Sequence, residues 1–373
     1  MRRCIRAVVL PILLLLMAIQ QVHPAQAGHA AARGLPGSAE FGFGAVLNPN
    51  GAKVTEAAAL SAKLELDWIS VPVTWAAVQP DAASPPNLAS LDSLLQPTGT
   101  NLPAVLVSIS TAPGWASTSQ GPNPTQTAQF VLALVRRYPA IRAVELFPGA
   151  NTQLGWGSAP NPAAYASLLR TVSDSLRSAG SGVALVAGGL QPQPANPPAG
   201  NVDDLAFLTS LYQQGAAKWM TVVSIQYTDV AADPLRYPDG SERRVLRHYE
   251  EVRQVMIANK HTFARIWITR FCLPSGTIEV QDKASIDVGS SSAWMIQGVT
   301  QMRSQLYIGA VFLANLNSRG EGSASEPLVL MQGDGTQHPF TAQLAEMISL
   351  NQAGSGSIVP GKAKEGGFEK KRP

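Results

Sequence analysis

The 373-residue sequence is 45% apolar and only 14% charged, and it contains 32 glycines and 28 prolines. The charge is too sparse, and the Gly and Pro content too low, for a disordered chain, so most of the sequence should fold. The formal net charge of +3 falls to zero once Arg2, Arg3 and Arg6 near the start are left out. A neutral chain gives no electrostatic reason to expect nucleic acid or an anionic membrane surface as a partner.

Residues 1–27 have the pattern of a secretory signal peptide. An apolar run from Ala7 to Ile19 follows the basic start, and Ala25-Gln26-Ala27 forms an A-x-A cleavage site. The run is short for a membrane span, so we expect cleavage and a secreted or extracytoplasmic protein without a span. An uncleaved signal anchor is the alternative. Cleavage would leave Cys272 as the only cysteine, and the fold would then have no internal disulfide.

The predicted folded body covers residues 28–351. Residues 352–373 are rich in Gly and Ser and then in Lys and Arg, and we expect them to form a disordered basic tail.

Short β-branched runs alternate with helical patterns along this body. The predicted strands are Phe41–Val46, Asp67–Val73, Pro103–Ile109, Arg142–Phe147, Val183–Gly188, Trp219–Gln226, Ala264–Arg270 and Ile308–Asn315. The predicted helices are Val54–Leu64, Leu88–Leu95, Thr125–Arg137, Pro162–Ser178, Asp203–Gln214, Arg243–Ala258, Ser292–Gln305 and Gln337–Ser349.

Eight strand–helix pairs in strict alternation predict an α/β fold with parallel strands, namely a single (β/α)8 TIM barrel. An open doubly wound sheet is less consistent with the sequence. Gly42-Phe43-Gly44 lies within the first strand and lacks the third glycine of a dinucleotide-binding turn.

Functional residues of such a barrel lie where strands end, at the carboxyl end of the barrel. Aromatic rings and amide groups occur there, and together they suit the flat faces and hydroxyls of sugars. The predicted substrate-binding residues are Trp75, Trp115, Asn151, Trp156, Gln226, Tyr227 and Asn315. The alternative is that the tryptophans only close the mouth of the barrel.

The order of motifs along the chain resembles clan-A retaining glycoside hydrolases, the cellulase- and xylosidase-like (β/α)8 enzymes. The residues that carry the resemblance are Trp75-Ala-Ala-Val-Gln-Pro80, Ala112-Pro-Gly-Trp-Ala116, Glu145-Leu-Phe-Pro-Gly-Ala-Asn151, Ser224-Ile-Gln-Tyr227 and Trp267-Ile-Thr-Arg-Phe271. No single motif is decisive, but their order covers nearly the whole body.

The resemblance implies a catalytic acid/base at position 149 and a nucleophile at position 270. The chain has Gly149 and Arg270 there, and the strand-six histidine of the family is Gln226. A retaining mechanism needs two carboxyl groups about 5–5.5 Å apart, and neither glycine nor arginine supplies one. We therefore expect no catalytic residue at the family positions, and a non-catalytic carbohydrate-binding protein.

Two other interpretations stay open at this stage. Carboxylates could have relocated in an active O-glycosyl hydrolase, and the candidates are Asp229, Asp233, Glu279, Asp282 and Asp287. Alternatively, the barrel could be a scaffold that docks a protein partner. Glu145 is interpreted as a buried acid paired with a cation such as Arg270.

Other chemistries have little support in the sequence. His248 and Glu251 are interpreted as a solvated helix face, and the remaining histidines are scattered. Cys272 has no evident histidine partner. We expect neither a metal site nor a cofactor.

Overall fold

The computed structural model describes residues 32–96, 102–194, 196–227, 236–239, 243–271, 278–280, 284–286, 291–318 and 328–354. The predicted signal peptide, Cys272 and four of the five candidate relocated carboxylates lie outside these residues, whereas the fifth, Glu279, lies in the described segment 278–280. Most of the predicted tail does too, although residues 352–354 continue a helix.

The described strands form one closed parallel barrel with small additions. In chain order they are β1 (Gly42–Val46), β2 (Trp68–Thr74), β3 (Ala104–Ser110), β4 (Ser117–Thr118), β5 (Gly121–Pro122), β6 (Ile141–Leu146), β7 (Ala184–Leu190), β8 (Val222–Tyr227), β9 (Arg265–Phe271), β10 (Ile278–Val280), β11 (Ala284–Ile286), β12 (Ile308–Asn317) and β13 (Val329–Met331). The sheet runs β1-β2-β3-β6-β7-β8-β9-β12, and β12 pairs with β1 through Gly42 and Ala310 to close it. The short strand β13 pairs with the end of β12.

Helices follow the barrel strands and cover the outside of the barrel. They are α1 (Val54–Lys63), α2 (Trp75–Val78), α3 (Ala89–Leu95), α4 (Pro124–Arg137), α5 (Gln153–Trp156), α6 (Pro162–Ser178), α7 (Asp204–Gln213), α8 (Tyr249–Ala258), α9 (Ser291–Arg303) and α10 (Phe340–Gly354). Side-chain caps start several of them: Asn123 accepts hydrogen bonds from the first turn of α4, and Asn161 does so for α6. No helix among the described residues combines the length and hydropathy needed to cross a bilayer.

The predicted (β/α)8 barrel is therefore confirmed, with shifts at some boundaries. The sixth predicted helix starts too early, because Leu246–His248 form a 3₁₀ turn before α8 begins at Tyr249. The sixth predicted strand also starts too early, because Ala216–Trp219 form another such turn. Helix α10 extends beyond the predicted domain limit of residue 351.

The interior of the barrel is layered. Large apolar side chains fill its amino end, including Trp68, Trp267 and Phe312, and the glycines of β1 leave room for them. A Cβ atom on Gly44 would lie 2.5 Å from the Phe312 ring. The next layer is polar: it contains Ser108 and Glu145, which are buried and joined by a hydrogen bond. The apolar layer therefore closes one end, and polar chemistry begins toward the other.

Residues 32–38 form a plug across the amino end of the barrel. The Trp68 indole donates to the Arg33 carbonyl at 2.7 Å, and the Trp267 indole donates to the Gly34 carbonyl at 2.8 Å. Gly34 has a φ of 85°, and a Cβ atom there would lie 2.6 Å from the Gly309 carbonyl. Glycine is therefore required at this close approach.

Candidate functional site

The strand register places Gln226 and Arg270 on the inner side of the barrel mouth. Gln226 pairs with Arg270, and Tyr227 pairs with Phe271, across β8 and β9. The Tyr227 and Phe271 rings contact each other edge to face, and the Tyr227 hydroxyl donates to Leu246 on the helix side. Because successive residues of a strand face opposite sides, Gln226 and Arg270 point inward.

Glu145 lies one layer below the mouth and is buried. Ser108 Oγ donates to one carboxyl oxygen at 2.8 Å, and Thr269 Oγ1 donates to the other at 2.7 Å. Burial raises the pKa of Glu145, and the hydroxyls of Thr269, Ser108 and Ser224 oppose that rise only in part. The expected pairing with Arg270 is wrong, because hydroxyl groups rather than a cation satisfy this carboxyl.

Gly149 occupies the family acid/base position in a conformation that disfavours any side chain. Its φ is 79°, in the left-handed region, and its N–H donates to the Gly189 carbonyl at 2.8 Å. A Cβ atom would lie 3.0 Å from the Gln191 amide nitrogen and 3.2 Å from the Thr152 hydroxyl. A side chain at this position would therefore be strained and directed at Gln191.

Trp75 and Trp156 are packing residues. Trp75 is fully buried and stacks on Phe130 at 4.8 Å. Trp156 is 2% exposed, contacts Phe147 and Tyr165 edge to face, and donates its indole hydrogen to Gln120. Trp156 borders a cavity of about 190 Å³, but so little of either ring is exposed that the expectation of stacking on a sugar is corrected.

Trp115 differs from these two rings because it is only half-buried. Its indole donates to the Gln79 carbonyl at 3.2 Å, and the Trp75 indole donates to the Gln79 side chain. Of the four predicted aromatic binding residues, Trp115 alone keeps a substantial accessible surface.

Asn151 and Tyr227 also have structural roles. The Asn151 amide donates to the carbonyls of Gln191 and Val202, and its oxygen accepts the Gln191 N–H. The Tyr227 hydroxyl accepts the Tyr249 N–H, so it is held between β8 and α8. Both residues fix loops at the carboxyl end, and neither faces the mouth.

Asn315 is different, because part of its side chain has no partner. The residue is 4% exposed, and its Nδ2 lacks a hydrogen-bond partner among the described residues. Its register partner is Val46 on β1, next to the inward-facing Gly44. A buried amide without a partner is costly, and such groups are often completed by a ligand or water.

A cavity of about 340 Å³ opens beside this part of the mouth, between the segments that follow β1 and β2. Asn48 lines it and is fixed by reciprocal hydrogen bonds with Asn317 of β12. The other lining residues are Pro49, Asn50, Gly51, Pro72, Val73, Thr74, Ala77, Val78, Asn87, Ser90, Leu91 and Ser110. None of the described residues that line the cavity has an ionisable side chain, and its volume is within the usual range for small ligands, roughly 300–1,000 Å³.

The sequence contained a signal for this cavity that was missed. Asn48-Pro-Asn-Gly51 follows the first strand directly, and segments after strands are where barrel sites occur. The cavity also depends on Asn87 and Ser90 near the start of α3, which no strand-end rule would identify.

His248 is buried between two carboxylates, so its assignment to a solvated face is wrong. Its Nε2 is 2.5 Å from Asp204 and its Nδ1 is 2.7 Å from Glu251. Burial lowers the pKa of His248, but the hydrogen bonds and charges of Asp204 and then Glu251 outweigh burial and raise it to about 9. The charged imidazole links α7 to α8 near the carboxyl end.

No cluster of potential metal ligands occurs among the residues that the structure describes. Among the described residues, the candidate site therefore consists of an uncharged cavity and a mouth with the inward-facing Arg270, above the buried carboxyl of Glu145.

Solved structures with the same fold are glycoside hydrolases. A family 39 glycoside hydrolase from Bacteroides cellulosilyticus WH2 has a TM-score of 0.60 and 15% identity, over 83% of this chain and 64% of its own. A GH39 enzyme from Xanthomonas axonopodis pv. citri gives 0.59 and 13%, over 86% of this chain and 68% of its own. A GH39 β-xylosidase from Caulobacter crescentus has a TM-score of 0.58 and 12% identity, over 86% of this chain and 73% of its own.

This chain thus spans slightly less than two thirds of the Bacteroides enzyme. No family model matches the sequence. No curated protein matches it either. At these identities the comparisons establish the barrel fold of clan-A glycoside hydrolases, as the sequence motifs predict.

Proposed function

We propose that this protein binds a carbohydrate at the carboxyl end of the barrel and does not hydrolyse glycosidic bonds. The observation that carries the proposal is the pair Gly149 and Arg270, which occupy the positions where the resemblance implies two carboxylates. The backbone supports it at Gly149, because a positive φ and the nearby Gln191 disfavour a side chain there.

The buried carboxyl of Glu145 does not compensate for that loss. It is 1% exposed and both of its oxygens accept hydrogen bonds from hydroxyls. A glycosidase needs two carboxyls on either side of the scissile bond, at separations of about 5–9.5 Å. A substrate at the mouth cannot reach Glu145 without displacing the layer around it.

A neutral, hydroxyl-rich ligand matches the groups that remain. The cavity presents amides and hydroxyls between apolar surfaces, which is the combination that binds sugar rings. Asn315 does not line this cavity, but its Nδ2, which lacks a partner among the described residues, would gain one from a ligand that extends across the mouth. Two other predicted binding residues are proposed to contact the ligand: Gln226, which faces the mouth, and Trp115, which is only half-buried.

The test is a glycan array together with a hydrolysis panel on the purified full chain. We expect binding without turnover, including on aryl glycosides, whose leaving groups need little protonation. Arg270→Glu should then give a trace of glycosyl-enzyme if the ancestral mouth persists. Wild-type hydrolysis would contradict the proposal, above all if it survives Arg270→Ala and is lost on changing Asp229, Glu279 or Asp282. Absence of any glycan binding would instead favour a protein-docking role.

Variants locate the binding site. Asn315→Ala should weaken glycan binding by up to about tenfold with little loss of stability, because its Nδ2 has no hydrogen-bond partner among the described residues. Asn259→Ala is the matched control, at the end of α8. Ala77→Trp should block the cavity, whereas Ala258→Trp adds the same ring to an exposed position on α8. Equal binding by all four variants would place the ligand elsewhere.

We also propose that the chain is exported and cleaved before Gly28, on the strength of the A-x-A site. N-terminal sequencing of the protein from its native host should find Gly28 or a near neighbour. An intact Met1 would contradict cleavage.

A further inference from the structure

Charges are distributed unevenly over the barrel, although their sum is close to zero. At the amino end, three basic residues form ion pairs: Arg33 with Glu40 and Asp67, Arg137 with Asp92, and Arg177 with Asp174. Seven further basic residues lie at the helix ends and strand starts there, namely Lys63, Arg136, Arg142, Lys218, Lys260, Arg265 and Arg303. At the described helix ends and strand starts of this end, Glu65 is the one acid outside those pairs; Glu346 lies one turn before Leu350 on α10, and Glu250 lines a groove with Gln305 and Tyr307.

Two strongly exposed apolar side chains lie on the same end. Phe263 is 90% exposed and Leu306 is 81% exposed. They precede the neighbouring strands β9 and β12, which pair at Ile266 and Ile308. The Arg265 guanidinium donates to the Leu306 carbonyl, so the two segments are tied together.

Each apolar side chain also follows a basic residue by three positions, Lys260 before Phe263 and Arg303 before Leu306. Single exposed apolar residues are common on protein surfaces. Two neighbouring exposed apolar residues surrounded by basic residues are less common. This combination suits the interface of an anionic bilayer.

The sequences that continue from the described residues at this end contain more basic than acidic residues. Helix α10 ends here, where the Asn351 amide donates to the Phe41 carbonyl. The sequence beyond it has five basic residues, Lys362, Lys364, Lys370, Lys371 and Arg372, against Glu365 and Glu369. Residue 32, the first that the structure describes, is also at this end and continues from a sequence without acids.

We propose that the amino end of the barrel binds an anionic phospholipid surface, with Phe263 and Leu306 entering the headgroup region. This inference goes beyond the proposed glycan binding and does not depend on it. A basic residue close to such a surface strengthens binding by about fivefold, so several act together even when the whole chain is neutral. The mouth of the barrel, at the opposite end, then faces away from the lipid.

The test measures sedimentation of the full chain with vesicles of phosphatidylcholine that contain a rising fraction of phosphatidylglycerol. Binding should rise with that fraction and fall with added salt, because exposed charges are screened. The leader is the same in every variant, so the differences between variants report on the barrel surface alone.

Lys260→Glu with Arg303→Glu should weaken binding at least about tenfold. Phe263→Ser with Leu306→Ser should weaken it without changing its salt dependence. Leu154→Ser is the matched apolar control, because Leu154 is 94% exposed at the carboxyl end. Lys53→Glu is the charge control at that end.

Equal binding by the amino-end variants and their controls would overturn the proposal. So would binding that ignores phosphatidylglycerol. Strong binding to a soluble polyanion such as heparin, with none to vesicles, would also overturn it and indicate a different partner. Circular dichroism should show that all variants fold, since every substituted side chain is at least partly exposed.

Discussion

Thr269 donates a 2.7 Å hydrogen bond to Glu145 across the inside of the barrel, and thereby joins the fourth and seventh barrel strands. Each residue lies just below a position where the resemblance implies a catalytic carboxylate. A polar connection therefore lies beneath the positions that Gly149 and Arg270 occupy.

This connection predicts opposite results for two changes at Glu145. Glu145→Gln keeps oxygen and volume and removes a buried ionisable group, so stability at neutral pH should stay or increase. Glu145→Ala leaves the hydroxyls of Ser108 and Thr269 without a partner and opens a cavity, which should cost about 2–4 kcal/mol. Urea unfolding measures both.

The pH dependence gives the control for this interpretation. Because burial raises the pKa of Glu145 in the folded state, the folded protein binds a proton more tightly than the unfolded chain. The stability of the wild type relative to Glu145→Gln should therefore fall as pH rises above about 4.3, the ordinary Glu value. If the difference in unfolding free energy between the wild type and Glu145→Gln stays constant from about pH 4 to about pH 7, the raised pKa of Glu145 is contradicted.

His248 should stabilise the fold at neutral and acid pH and lose that effect in alkali. Its folded pKa is raised to about 9, so the contribution is complete below the ordinary value near 6.5 and is lost as pH rises through 9. The shift corresponds to about 3 kcal/mol. His248→Gln should abolish this pH dependence in denaturant titrations. Parallel curves for the two proteins would mean that the charged imidazole is not stabilising.

Trp156→Ala should damage the fold rather than only a binding surface. The buried ring contacts Phe147 and Tyr165, so its loss should cost about 3–5 kcal/mol. Trp115→Ala, at a half-buried ring, should cost clearly less. Thermal and urea unfolding compare the two variants, and a smaller loss of stability for Trp156→Ala than for Trp115→Ala would contradict the packing role of Trp156.

Gly149→Ala should be destabilising by more than the strain of its backbone. Gly157 is a matched control, because it has a similar φ of 81° and nothing near its Cβ position, whereas a Cβ on Gly149 meets Gln191. The positive φ alone should cost about 1–2 kcal/mol at either site. The excess at Gly149 measures the contact with Gln191 and should diminish in a Gln191→Ala background.

The strands could be predicted because their signal is local. Runs such as Val105–Ile109 and Ile266–Ile268 are short, apolar and β-branched whatever surrounds them. Burial of individual rings could not be predicted in the same way. Trp156 is covered by Tyr165 and by the chain at Gln120, which lies 36 residues away in sequence.

The burial of His248 between two carboxylates could not be predicted for the same reason. His248 and Glu251 have the spacing of an exposed helix face; only the contact with Asp204, 44 residues earlier, buries His248, while Glu251 stays partly exposed. Net charge has a similar limitation, because a sum near zero says nothing about how Lys260, Arg303 and their neighbours are arranged.

The plug determines when the barrel can close during synthesis of the chain. Gly34 is made among the first residues, but the indole that donates to its carbonyl belongs to Trp267, 233 residues later. Its close neighbour Gly309 is made later still. The barrel therefore cannot close until the last third of the chain has been synthesised. Until then the Trp68 indole lies next to an incomplete barrel interior. A chain truncated at any point before β12 should lack a closed barrel, because β12 pairs with β1. Such a product should be cleaved readily by proteases, even when all of the preceding sequence is present.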